Sequence, residues 1–182
     1  MPDPTPVNST ADSRVACTTG PYNSGLLALR PRDLDADQCP ILLREKGGTV
    51  RWQPVSPTLM THLQRHAQQR NAPPDGRLLR YRNGRPITYR RYDHLWQRIG
   101  KHLPWVATQG ISTHWLRHTT LTWVERTFSH TVARAYAGHT DNSGQTGATH
   151  TYVRASVQEV ATALSALTGE PHPLADDPGS RP

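Results

Sequence analysis

From Ser24 to Leu167 the apolar residues recur mostly at intervals of three and four, and one short stretch breaks that pattern. The spacing predicts a first helix from Ser24 to Leu29 that ends before Pro31, because the residue preceding a proline is pushed out of the helical region. The break follows. Ile41-Leu42-Leu43-Arg44 and Thr49-Val50-Arg51-Trp52 flank Glu45-Lys46-Gly47-Gly48, and a Gly-Gly pair supplies the positive φ angles of a tight hairpin, with Lys46 at its tip. A helix from Ser56 to Gln69 is expected next, with Ser56 as cap and Pro57 in its first turn, closed by the Pro-Pro-Asp-Gly turn at 73–76.

Thr88 is a candidate cap for a helix running to Leu103. Tyr92, Leu95, Trp96, Ile99 and Leu103 share one arc of it, and Arg91, His94, Arg98 and Lys101 the neighbouring arc. Ser112 or Thr113 then caps a helix reaching Arg126, a shorter helix covers Thr131 to Ala137, and a loop rich in Gly, Thr and Ser runs to His150. The last helix spans Ala155 to Leu167 with Val157, Val160, Ala161, Leu164 and Leu167 as its apolar stripe. No repeat is visible. These elements predict an α+β fold, mostly helical, with a small antiparallel sheet of about three strands between Leu34 and Trp52. Residues 1–18 and 169–182 lack apolar periodicity and are expected to be disordered, which leaves one domain over 19–168.

Charge changes the picture modestly. Lys and Arg number 21 against 14 Asp and Glu, a formal charge of +7, and all but two of the cations are Arg. Arginine grips phosphate through two hydrogen bonds at once, so a polyanionic partner fits; an ordinary solvated cationic surface is the plainer reading of the same numbers. The densest stretch, Arg77 to His102, holds eight cations and one acid, Asp93. Cys17 and Cys39 are too few for a disulfide framework, and no apolar run approaches the ~20 residues of a membrane span, so a cytoplasmic location is expected.

Candidate chemistry lies downstream. In Thr113-His114-Trp115-Leu116-Arg117-His118, at a helix start, His114, Arg117 and His118 fall on one arc near the positive end of the helix dipole, a place suited to an anion. An exposed His and Arg on an amphipathic helix is the ordinary alternative. Ala137-Gly138-His139 closes the next helix, and Tyr152 stands just before the last one. A phenol has an ordinary pKa of about 10, so nucleophilic attack on a phosphodiester needs cations or a base beside it.

His-x-x-Arg on a helix, Gly-His one helix later and Tyr at the start of a final helix together resemble the tyrosine recombinases, the phage integrase family, in particular actinobacterial integrases. The Glu45-Lys46-Gly47-Gly48 hairpin is similar to that family's catalytic hairpin lysine. The resemblance covers Thr19 to Leu167. It implies site-specific recombination or integration of double-stranded DNA, without metal or cofactor, by a chain that assembles as a homo-oligomer on the DNA and so associates with the nucleoid. Tyr152 would attack the scissile phosphate to give a 3′-phosphotyrosyl link and release a 5′-hydroxyl. Arg117 would hold the non-bridging oxygens, Lys46 would protonate the departing oxygen, and His114 and His139 would contact the phosphate and move protons. Arg91, Arg98 and Lys101 would line the DNA backbone.

The chain departs from the family in its first arginine. Where the family has Thr-Gly-x-Arg, this sequence reads Thr19-Gly20-Pro21-Tyr22, and Arg30 is eight residues on, ~12 Å along a helix. The acid usual three positions later is Gly25, and the loop from Thr140 to Thr151 is some four residues longer than the common spacing. The opening two dozen residues are therefore expected to be foreign to the family, as after a truncation or frameshift, and the front DNA-gripping domain is expected to be missing. Two readings follow, an active recombinase and a DNA-binding remnant with little strand cleavage. A metallohydrolase is a third, from the i, i+4 spacing of His114 and His118, but Trp115 stands where the His-Glu-x-x-His glutamate belongs. A degenerate fragment that barely folds is the fourth.

Overall fold

The structure is a computed structural model that describes residues 23–44, 48, 50–138 and 155–176. Helix α1 (Asn23–Leu27) leads into a 3-10 turn at Pro31–Asp33, and strands β1 (Pro40–Arg44) and β2 (Val50–Pro54) pair antiparallel with Leu43 opposite Arg51. Asp33 locks this corner. Its carboxylate, 1% exposed, accepts the Arg30 backbone N–H at 3.0 Å and Nη2 of Arg44 at 2.7 Å. The Asp33 carboxylate in turn pushes the Arg44 pKa above its ordinary value.

The expected third strand is reduced to a single bridge between Leu34 and Ile41, leaving two strands among the described residues. The reason is local: Oδ1 of Asp35 accepts the backbone N–H groups of Asp37 and Gln38, which turns the chain before a ladder can form.

Helix α2 (Pro57–Gln69) matches its expected bounds, with the Ser56 hydroxyl accepting the Leu59 N–H at 3.3 Å. It buries Leu59, Met60 and Leu63 against Leu26, Leu29, Ile41 and Leu43, and this cluster extends to Leu78, Leu79, Ile87 and Tyr92. His66 sits inside the same layer, where Nε2 accepts the Arg80 N–H at 3.2 Å. Burial, helped by Arg70, pushes the His66 pKa down against that bond.

Helix α3 (Arg90–His102) starts two residues after Thr88, with helical Tyr89 at its cap position, so Thr88 contributes a backbone carbonyl to Arg91 and no side-chain cap. Tyr92 and Leu95 are buried as expected, but Leu103 is 45% exposed. The residue precedes Pro104, leaves the helical region and falls off the arc, and a short helix α4 (Pro104–Thr108) absent from the sequence reading follows.

Helices α5 (Thr113–Thr127), α6 (His130–Ala137) and α7 (Val157–Thr168) form the second half, each capped by a serine: Ser112, Ser129 and Ser156. Glu159 returns a bond to the Ser156 N–H at 2.7 Å, completing a capping box. Val124, Val132, Ala133, Tyr136, Val160, Ala163 and Leu164 pack into a second core. Val157, expected in the apolar stripe, is 42% exposed because it occupies the first helical turn beyond the packed face, and Ala163 fills the stripe instead.

The chain past Gly169, expected to belong to a loose tail, packs as far as Asp176. Glu170 accepts the Thr58 N–H at the start of α2 at 3.0 Å, and His172 is buried. Burial pushes the His172 pKa down, and backbone groups of Cys39 and Val55 pull it partway back. Among the described residues no helix is long and apolar enough to cross a membrane.

Candidate active site

The site is best built from the first turn of α5. Ser112 frees no N–H to wander, since its hydroxyl takes the Trp115 N–H at 3.3 Å, and the indole N–H of Trp96 donates to the Thr113 hydroxyl at 2.9 Å. That second bond fastens α3, the helix of Arg91, Arg98 and Lys101, to the start of α5. Arg98 and Lys101 are exposed and Arg91 is half-buried.

One turn on, the expected arc of His114, Arg117 and His118 divides in two. Around a helix Arg117 lies about 60° from His114 and about 100° from His118, whereas the two histidines are only about 40° apart, and α6 packs on the arginine's side. Arg117 turns inward to 6% exposure and donates Nη2 to the Ala137 carbonyl at 3.2 Å. His114 and His118 stay outside, their Nε2 atoms 2.8 Å apart in a hydrogen bond and their rings edge-on at 4.3 Å. A third ligand does not join them: no group of three or more His, Cys, Asp or Glu side chains gathers among the described residues.

Ala137 is the last residue of α6, so Arg117 reaches the negative end of that helix dipole. Gly138 then takes the left-handed conformation at φ 74°. A side chain there would collide with the guanidinium of Arg51, which occupies the space beside the glycine. Arg51 lies on β2 in register with Leu43, on the sheet face that buries Ile41, Leu43 and Gln53, and its Nη1 donates to the Gln53 side-chain carbonyl. Two guanidinium groups thus flank the Ala137–Gly138 peptide. Sequence reasoning missed Arg51, although strand alternation within the expected hairpin puts it on the Leu43 face.

Lys46, His139 and Tyr152 lie outside the described residues, as does Tyr22. The described elements adjoining them in sequence do meet: α6 precedes His139, β2 follows the Lys46 hairpin, α7 follows Tyr152, and α7 packs against both α6 and β2.

The domain is thus mostly helical with a small antiparallel sheet, and it carries His-x-x-Arg at a helix start with the arginine turned onto the end of the next helix. The chain belongs to the phage integrase family, whose sequence model matches residues 3–159. No curated protein matches it. Its fold is similar to that of XerA recombinase, with a TM-score of 0.57 and 19% identity over 76% of this chain and 58% of that one. It is also similar to the Tn1549 transposon integrase in complex with a circular intermediate DNA, with a TM-score of 0.60 and 21% identity over 76% of this chain and 53% of that one. The same integrase in complex with transposon right end DNA gives 0.59 and 20% over 76% and 53%. The chain spans little more than half the length of these structures.

Proposed function

We propose that residues 19–168 form the catalytic domain of a site-specific tyrosine recombinase that cuts and rejoins double-stranded DNA. The observation that carries this reading is the buried Arg117, held by the Ala137 carbonyl beside the end of α6. A guanidinium held in that position can hydrogen-bond the non-bridging oxygens of a phosphate as they become more negative in the transition state.

In the proposed reaction the Tyr152 oxygen bonds to the scissile phosphorus as the bond to the 5′-oxygen breaks. The phenolic proton passes to a neighbouring base, His114 or His139, and Lys46 supplies a proton to the departing 5′-oxygen. The phosphodiester energy is kept in the 3′-phosphotyrosyl link, and attack by another 5′-hydroxyl reverses the step. Arg91, Arg98 and Lys101 on α3 hold the backbone of the duplex, brought to the site by the Trp96–Thr113 bond. Several copies act on one DNA, in the cytoplasm and on the nucleoid.

Tyr22 in place of the family's first arginine favours a second reading, a protein that binds DNA but cleaves it poorly. Incubating the full chain with a randomised duplex library nicked on one strand, and recovering covalently linked DNA, separates the two. The recombinase reading expects a covalent adduct that Tyr152→Phe abolishes and Arg117→Ala reduces by about 10²- to 10³-fold. Salt-dependent binding with no adduct from the wild type establishes the second reading instead.

A further inference from the structure

The first turns of α5 carry two side chains that neither the core nor the proposed reaction uses as a pair. His114 and His118 are both exposed and stand one helical turn apart, the i, i+4 spacing at which two rings share a strip of helix surface. Their Nε2 atoms meet at 2.8 Å, and the rings lie edge-on with planes at 84°. Such a contact needs a hydrogen on one Nε2 and a lone pair on the other, so a single hydrogen joins the two nitrogens. A metal ion can take its place. Imidazole nitrogen binds a first-row divalent metal at ~2.0–2.1 Å, which sets two nitrogens at right angles ~2.9 Å apart and two at the tetrahedral angle ~3.3 Å apart. The observed separation falls within about 0.1 Å of the first value. One ring has only to turn about χ2, a broad torsion in histidine, to aim both lone pairs at one point.

We propose that His114 and His118 form a two-nitrogen chelate for a divalent transition metal of the nickel and copper class, with water filling the other positions. Nitrogens at right angles suit the tetragonal geometry of Cu2+ and Ni2+ better than the tetrahedral preference of Zn2+, and imidazole is a good donor to both. The hydrogen displaced from Nε2 moves to Nδ1 of the same ring, so a neutral pair takes up the metal without net loss of protons. No third His, Cys, Asp or Glu joins the pair among the described residues, which makes this an open site rather than a closed structural one. Of the residues three or four positions from either ring, only Arg117 is charged, and it turns inward to the Ala137 carbonyl. The inference goes beyond the recombinase reading and does not depend on it. While metal is bound, Nε2 of His114 cannot carry a proton.

A plainer explanation competes: two histidines that merely share a hydrogen bond on a helix surface. Calorimetric titration of the full chain with Ni2+ separates the two, using protein free of added histidines in a non-coordinating buffer at neutral pH. One binding step is expected to be tighter than all others. Once one ring is engaged the second binds intramolecularly, so His114→Ala and His118→Ala should each weaken that step by about 10²-fold, and the double variant should lose little more. His130→Ala, which removes an exposed ring bonded to Glu125, should leave the step unchanged. A tight step that survives in either single variant overturns the chelate, as does a wild type without such a step.

A second measurement needs no variant, so it holds even if a substitution disturbs folding. In the wild type, Ni2+ added well below one equivalent should broaden the ring proton resonances of His114 and His118 before those of the other histidines, because the paramagnetic ion fills its tightest site first. Broadening that begins at any other ring, or at only one of the two, overturns the proposal.

Discussion

The sheet half and the helical half of this molecule both have apolar interiors, yet the arginines at their edges turn to different groups. At the sheet, the Asp33 carboxylate sits against Arg44, and His66 accepts the Arg80 N–H. In the helical half, Arg117 is 6% exposed and turns to a backbone carbonyl. A charge met by an opposite full charge stabilises a fold and is spent there. A guanidinium at a helix end keeps donors that can turn to an anion. The structural ion pair thus lies in one half, and the arginine that we propose meets phosphate lies in the other.

Removing core volume tests whether the halves are one unit. Leu63→Ala in the sheet core and Leu164→Ala in the helical core each delete a buried side chain and are expected to cost about 2–5 kcal/mol. Both should shift one shared transition in denaturant; two separate transitions would show that the halves unfold independently. Asp33→Ala should cost somewhat less, about 2–3 kcal/mol. Breaking a fully buried pair costs ~3–5 kcal/mol, and the Arg44 side chain is 31% exposed, so water repays part of the loss. Urea titration of this variant reads the value directly, and a change under about 0.5 kcal/mol would mean that the pair is not structural.

Ser129→Ala removes the hydroxyl that takes the Val132 N–H at the start of α6, for an expected ~1 kcal/mol. Since α6 carries the Ala137 carbonyl, the same variant should loosen Arg117, read as faster amide exchange at Ala137 and Gly138. The smallest effect is that of pH. Burial lowers the pKa values of His66 and His172, so the unfolded chain binds more protons as pH falls below about 6.5, and stability drops from there toward the lower folded values. His172→Asn keeps an acceptor for the Leu174 N–H, a bond of 3.1 Å in the wild type, and should flatten that drop in a thermal-melt series. An unaltered pH slope would assign it elsewhere.

Helix positions were legible because each is announced by a local chemical device. Ser56-Pro57, Ser112, the box of Ser156 and Glu159, and Gly138 all act within one turn of chain. The candidate site could be named from the sequence by residue type, but not the directions in which its described side chains turn. Helical spacing joins His114 to Arg117, and only the packing of α6 against α5 decides that one faces out and the other in. The missing third strand and the ordered stretch at 170–176 escaped for related reasons. The first turns on where the Asp35 carboxylate points, and the second on a surface formed by residues far away in sequence. Polar composition suggested a tail, whereas one glutamate with a waiting helix end is enough to hold it.

That glutamate has a bearing on how the chain is made. Thr58 is capped by a residue 112 positions later, so during synthesis the start of α2 emerges long before its partner exists. At about 5–20 residues per second the wait is about 6 to 22 s, far longer than a helix or hairpin takes to form. The sheet half can thus gather early on the ribosome, but the pocket that receives His172 closes only once translation has passed α7.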